Sequence, residues 1–276
     1  MTSAIYYEET QSLVQTFSQE DQAYFQDLWD YFNFAGFLYE EKALREQVYN
    51  LALDFSQASG DGLTARDYFG QDPKGMADQI IENMPKEYTR SVLKYGAIVS
   101  GIVIFYRLLS DFASQAVLVL KPLVYLTDSI LGILAVGLLF YLLRRLIFAE
   151  EKSKKAIYVA VILVLGIYFI SEIVGVRFLP TLGWLTVPSP WDTFIMTGAS
   201  AGLILWQWKE EFARAFIFPI LSFLVVGFLH RWTLAQGIQN SSMTIILPTV
   251  IIAAGLVIYY WFTIRALKKN KTENGE

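Results

Sequence analysis

The chain has no cysteine and a single histidine, His230, among its 276 residues. Without cysteine there is no disulfide, no thiolate nucleophile and no thiolate metal site. One histidine leaves zinc sites and Ser-His-Asp triads without their parts. Also missing are a phosphate-binding glycine loop, an HExxH pair and a nucleophile elbow. These absences predict a protein that is not an enzyme and carries neither cofactor nor metal. The first 85 or so residues lack any apolar run able to cross a bilayer. The opening stretch, with Glu8 and Glu9, is too polar and acidic for a cleavable signal peptide, so the first spanning helix is expected to serve as the insertion signal.

What the chain does have is apolar residues and a divided charge. Hydrophobic residues make up 54% of it, too many for an ordinary soluble domain. The net charge of -4 conceals an asymmetry: residues 1–87 carry 16 acidic and 5 basic side chains, and the remainder 10 and 17. An acidic head repels phosphate, which argues against direct nucleic-acid binding. Six stretches approach the length of a membrane span: about Lys94 to Phe112, Val124 to Leu143, Ala156 to Gly175, Trp191 to Trp208, Ala215 to Leu229 and Met243 to Ile264. Phe112 to Leu120 is also apolar and reads as an interfacial or re-entrant turn before Pro122. Fourteen basic residues, among them Lys94, Arg144, Lys155, Lys209 and Arg265, gather at one set of span ends, against Arg107, Lys121, Arg177 and Arg231 at the other. This bias places both termini in the cytoplasm. The expected fold is all-α: a small cytoplasmic helical bundle over residues 1–88, a polytopic α-helical membrane domain of about six spans over 89–266, and a basic then polar cytoplasmic tail over 267–276. Pro219 and Pro248, inside the fifth and sixth spans, predict kinks. Ser189-Pro190-Trp191-Asp192 reads as a capped start for the fourth.

In the head, Ser18 and Asp21 mark a helix start, and Phe25, Leu28, Trp29 and Phe32 follow on one face. Leu44, Val48, Leu51 and Phe55 mark a second helix, ended at Gly60-Asp61-Gly62. Thr64 and Asp67 cap a short third, and Asp72-Pro73 starts a fourth, with Met76, Ile80 and Met84 as its buried stripe. Asp61, Asp67 and Asp72 lack the alternation of a calcium loop and read as caps and turn residues. Two long helices followed by Asp61-Gly62-Leu63, Tyr68-Phe69-Gly70 and Asp72-Pro73-Lys74-Gly75-Met76-Ala77 resemble the HAAS-type signalling domain, over roughly Tyr24 to Pro85. The resemblance implies a bacterial membrane protein, of the kind found in Gram-positive bacteria and often encoded near PadR-type regulators. It implies no catalytic chemistry.

Charges at membrane depth are where function is sought. Rise per residue puts Arg107 roughly 10 Å and Asp128 about 6 Å inside the outer boundary, with Asp111 and Glu172 shallower and Arg177 and Asp192 nearby. Arg107 paired with Asp128 or Glu172 is the natural arrangement. Two readings stand: interhelical ion pairs that set packing, or an outward-facing polar vestibule for a ligand or ion. His230 reads as an interfacial anchor. Trp29, Phe32, Tyr68 and Phe69 are the candidate partner-docking residues of the head. The chain therefore reads as a signalling or regulatory protein of the bacterial cell membrane whose head docks a cytoplasmic or membrane protein. The alternative is the membrane subunit of a small-molecule transporter, and a homo-oligomer is compatible with either.

Overall fold

The computed structural model describes the chain except for residues 37–38, 71, 86–87, 179–183, 210–212, 239 and 274–276, and except for the side chains of 88, 172–178, 267 and 269–273. Almost all of the described chain is helical: α1 (Ser3–Val14), α2 (Gln19–Ala35), α3 (Glu41–Gly60), α4 (Ala65–Phe69), α5 (Pro73–Glu82), α6 (Tyr88–Ser114), α7 (Pro122–Ile147), α8 (Glu151–Phe178), α9 (Trp191–Gln207), α10 (Ile217–Ala235) and α11 (Leu247–Glu273). Two three-residue strands, β1 (Leu118–Leu120) and β2 (Leu185–Val187), pair antiparallel with Val119 opposite Thr186. The apolar stretch read as a re-entrant turn is thus in part a strand. Five helices are long and apolar enough to cross a membrane, in α6, α7, α8, α10 with the 3-10 turn before it, and α11 with the π turn before it. The sixth expected span, α9, has 17 residues, about 25 Å of helix, which is short of the ~20 residues a bilayer core requires.

The chain divides into two units, Met1–Ser100 with Ile130–Val174, and Gly101–Ser129 with Gly175–Glu276. In the first unit the head is built as its sequence directs. Ser18 Oγ accepts from the Asp21 amide and donates to Asp21 Oδ2, at 3.3 and 2.6 Å, and so starts α2. Phe25, Leu28, Trp29 and Phe32 then face the core, where they meet Val48, Ala52, Phe55 and Phe69. Burying each large apolar side chain contributes roughly 1.5–3 kcal/mol. α3 ends in a paired turn: Leu63 N–H donates to the Ala58 carbonyl and Gly62 N–H to that of Ser59, with Gly62 at φ +86°, a backbone conformation that side-chain-bearing residues avoid. Thr64 caps α4 through Asp67, and Asp72 caps α5 through the Gly75 amide at 2.9 Å. A Cβ on Gly75 would overlap that carboxylate. The glycines and aspartates of the motif are accounted for by turns and caps.

Two expectations shift. α1 is a fifth head helix that its acidic sequence conceals, because only Tyr6, Thr10 and Val14 face inward, beside α3. On α5 the buried face is Ala77, Ile81 and Met84, while Met76 and Ile80 are only half-buried. The apolar stripe is wider than the contact, and the small Ala77 takes the closest approach.

The second unit centres on α10, which packs against α9 and α11. Ring pairs Phe216–Tyr259 at 5.1 Å and Phe218–Phe262 at 4.7 Å, with Gly255 against Ser222, set α10 and α11 antiparallel. Pro219 and Pro248 lie just after a change of helix type inside their spans, from the 3-10 turn Ala213–Phe216 into α10 and from the π turn Ser242–Ile246 into α11, the kind of irregularity that a missing N–H leaves in a helix. Pro190, not Ser189, occupies the cap of α9, without a side-chain hydrogen bond. Outward residues are strongly apolar: Leu205, Val257, Ile162 and Ile167 are 72, 68, 67 and 66% exposed. Such surfaces are unfavourable in water and suit lipid.

Asp21 Oδ1 also accepts from the buried Ala65 amide at 2.7 Å, which joins the start of α2 to that of α4. Asp21→Ala leaves that amide without its acceptor, and about 1–3 kcal/mol of head stability is lost. Protease digestion of the full chain in detergent should release head fragments at a lower temperature than in the wild type. Unchanged resistance would refute the assignment.

Candidate functional site

Buried charges collect in the second unit at the end where β1 and β2 pair. Lys121, just before α7, places Nζ 3.0 Å from Oδ1 of Asp111 on α6, and both side chains are about nine-tenths buried. The same carboxylate accepts from Tyr125 Oη at 3.1 Å and from Gln115 Nε2 at 2.9 Å. Three groups, from α7 and the connection between α6 and α7, thus close on one carboxylate of α6. Arg107, four residues before Asp111, turns instead to Asp128 on α7, with Nε 3.8 Å from Oδ2.

The third pair is the most completely bonded. Asp192, fully buried at the start of α9, receives Nε and Nη2 of Arg231 on Oδ2 at 3.2 and 2.7 Å. Its other oxygen accepts from the Thr193 amide and hydroxyl at 2.7 and 3.1 Å. Nη1 of Arg231 donates to the carbonyls of Phe112 and Gly227 at 2.6 and 3.2 Å, and the guanidinium lies 3.8 Å from the Phe112 ring centroid. Arg231 therefore ties α6, α9 and α10 with donors spread over three acceptor groups, as its forked geometry allows. A Cβ on Gly227 would strike the Phe112 ring, so glycine is needed where these helices meet.

Of the residues expected to carry chemistry, Arg107, Asp111, Asp128 and Asp192 each find an oppositely charged partner in this unit. The side chains of Glu172 and Arg177 lie outside the described residues. Lys121 and Arg231, which the sequence marked only as boundary charges, and Tyr125, which nothing in the sequence singled out, also belong to the site. Arg231 is half-buried beside His230, whose carbonyl accepts from Thr233 at 2.8 Å. No group of three carboxylate or imidazole side chains able to hold a metal occurs among the described residues. The arrangement fastens helices together through charges that satisfy one another.

A second polar cluster lies in the first unit. Arg144, near the end of α7, donates from Nε to the Tyr31 hydroxyl at 2.9 Å and from Nη2 to Asp78 Oδ1, and Tyr31 donates to the same oxygen at 2.6 Å. Aromatic contacts flank it, Tyr31–Phe148 at 5.2 Å and Phe34–Phe140 at 5.5 Å. Lys94 on α6 reaches Glu41 on α3 at 3.2 Å. Burial and the Asp78 carboxylate push the Tyr31 hydroxyl up to about 12, against the opposing pull of Arg144. Of the four docking candidates in the head, Trp29, Phe32 and Phe69 are core residues, while Tyr68 is 41% exposed. The helical period that marked the first two as one face marks the packed face. An exposed groove of the head lies elsewhere, between α3 and α5, with a volume of about 600 Å³ and a lining that includes Glu46, Gln47, Asn50, Met76, Ile80 and Met84.

No protein family, curated protein or solved structure matches this chain.

Removing Arg231 strands a buried carboxylate, so Arg231→Ala should cost about 3–5 kcal/mol, and the double variant Arg231→Ala with Asp192→Ala clearly less than the two single losses added. Thermal unfolding in detergent measures both, and additive losses would contradict the pairing. The phenol of Tyr31 has a folded value above its unfolded value of about 10. Its contribution is therefore complete below that value and is lost as pH rises from there through about 12. Head protection from protease should fall over that window, and Tyr31→Phe should flatten the fall.

Proposed function

We propose that the chain is a six-span membrane regulator whose HAAS-like head, on the cytoplasmic side, docks a protein partner in the groove between α3 and α5. The groove carries the reading: Met76, Ile80 and Met84 supply apolar surface, and Glu46, Gln47 and Asn50 supply a polar rim, the composition of a surface that binds protein. Half-buried Met76 and Ile80 are the residues that the shifted face of α5 leaves outside the core. The head is tied to α6 and α7 by Glu41–Lys94 and by Asp78 and Tyr31 on Arg144, so movement of those helices reaches α3 and α5 directly. α9 is the sixth span in this reading. Its start meets the end of α10 through Asp192 and Arg231, which makes the two antiparallel, and exposed Leu205 and Trp206 suit a lipid contact. Fourteen basic residues at one set of span ends support cytoplasmic termini.

A transport role has one observation in its favour. Ser200 Oγ and Gln207 Oε1, on the buried face of α9, have no hydrogen-bond partner among the described residues. Buried polar atoms of that kind line substrate paths as well as packing defects.

The full chain in detergent, used as bait, should retain a cytoplasmic protein that Met76→Lys and Ile80→Lys variants of unchanged protease resistance lose. Equal capture by wild type and variants sinks the docking reading. Substrate uptake into proteoliposomes that Ser200→Ala and Gln207→Ala abolish would establish the transport reading in its place.

A further inference from the structure

A second cavity of the first unit, of about 360 Å³, lies where the head meets α6 and α7. Its two walls differ in chemistry. The head side presents Asn33, Tyr39, Glu41 and Arg45. The opposite side presents Ile98 and Val99 of α6 with Val136 and Phe140 of α7. We propose that this cavity binds one hydrocarbon chain carrying an anionic headgroup, the chain along α6 and α7 and the headgroup at Arg45 and Lys94.

The charge of the polar wall selects the headgroup. Glu41 is the centre of a small network: Oε1 accepts from Arg45 Nε at 3.3 Å and from the Ser3 hydroxyl at 3.1 Å, and Oε2 from Lys94 Nζ at 3.2 Å. Arg45 in the lining and Lys94 of α6, which reaches the same carboxylate from beside the cavity, give the three groups together one positive charge in excess. Burial pushes the Glu41 carboxyl up, but the bonds from Lys94 and Ser3 and the charges of Lys94 and Arg45 outweigh it and hold it below the usual range. Glu41 thus stays ionised and keeps both cations at the cavity mouth. A carboxylate or phosphate entering there gains charge-assisted hydrogen bonds from groups already in place. A cationic headgroup meets Arg45 and Lys94 at close range.

The apolar wall selects the tail. With Tyr95 of α6, five residues form this wall, all aliphatic or aromatic, and the volume stands near the lower end for small-molecule sites, enough for one chain. The corner of the head above it is tightly closed: a Cβ on Gly36 would collide with Leu44 and stand 2.7 Å from the Phe32 carbonyl. A bound chain therefore touches head and spans at once, and its presence alters how α2 and α3 sit on α6 and α7. The proposal rests on the reading of α6 and α7 as membrane spans, since that brings lipid to the cavity.

The test uses the full chain in phosphatidylcholine nanodiscs with a photoreactive palmitate analogue. Labelling of residues 95–99 and 136–140 should saturate, and Val136→Trp and Arg45→Gln should each weaken it about tenfold at unchanged protease resistance. Label on the outward Ile162 and Ile167 of α8, which face lipid in any case, serves as the unsaturable control. Competition by excess palmitate assigns the site to free fatty acid; competition by phosphatidylglycerol in the disc assigns it to a leaflet lipid. Labelling that neither competitor displaces, or that Val136→Trp leaves intact, overturns the proposal. Partner capture at the α3–α5 groove is independent of this result, because the two cavities share no lining residue.

Discussion

Arg144 is the contact on which the first unit depends. Its guanidinium joins the end of α7 to Tyr31 of α2 and Asp78 of α5, two residues that already bond each other. A cation next to an apolar helix is costly to dehydrate and is kept only where its donors are used. Here they are used on the head. The aromatic contacts of Phe34 with Phe140 and of Tyr31 with Phe148 extend the joint on either side. Both the groove on the head and the amphiphilic cavity lie in the unit that this joint holds together.

The second unit applies the same rule with different residues. In a medium without water, each charge must carry its solvation with it. Asp192 receives four hydrogen bonds, from Arg231 and Thr193, and Asp111 is surrounded by lysine, tyrosine and glutamine. These pairs bind neighbouring helices at the end where β1 and β2 connect. A short strand pair is an economical connection there, since it satisfies backbone groups that loops would leave bare. Small residues complete the packing: Gly227 admits the Phe112 ring and Gly255 admits Ser222.

Much of the head was legible because the signals involved are local. Ser18 and Asp21 cap, Phe25 to Phe32 share a face, and Gly62 closes a left-handed turn; each depends on neighbours within a few positions. α1 was not legible, because a helix that packs through one residue per turn, one of them Thr10, has no apolar stripe to read. Periodicity also marked Trp29, Phe32 and Phe69 without saying whether their face meets core or partner. In the membrane domain, Pro219 and Pro248 marked irregular helix, and the structure places a 3-10 turn and a π turn just before them, a choice of helix type that the prolines alone did not specify. Depth offered Arg107 two partners, Asp128 and Glu172, and the described side chains hold the pair with Asp128.

The sequence by itself determined an all-helical chain, an acidic head, long apolar helices and the identity of the charges within them. Composition, period and capping are properties of short stretches, and they act before any long-range contact forms. Only the tertiary structure decided which charge meets which. Lys121 and Asp111 are 10 residues apart, Arg231 and Asp192 39, and Arg144 and Asp78 66. No local signal spans such distances, because a buried ion pair is selected by the shared cost of dehydrating both partners, and that cost exists only once the helices have packed.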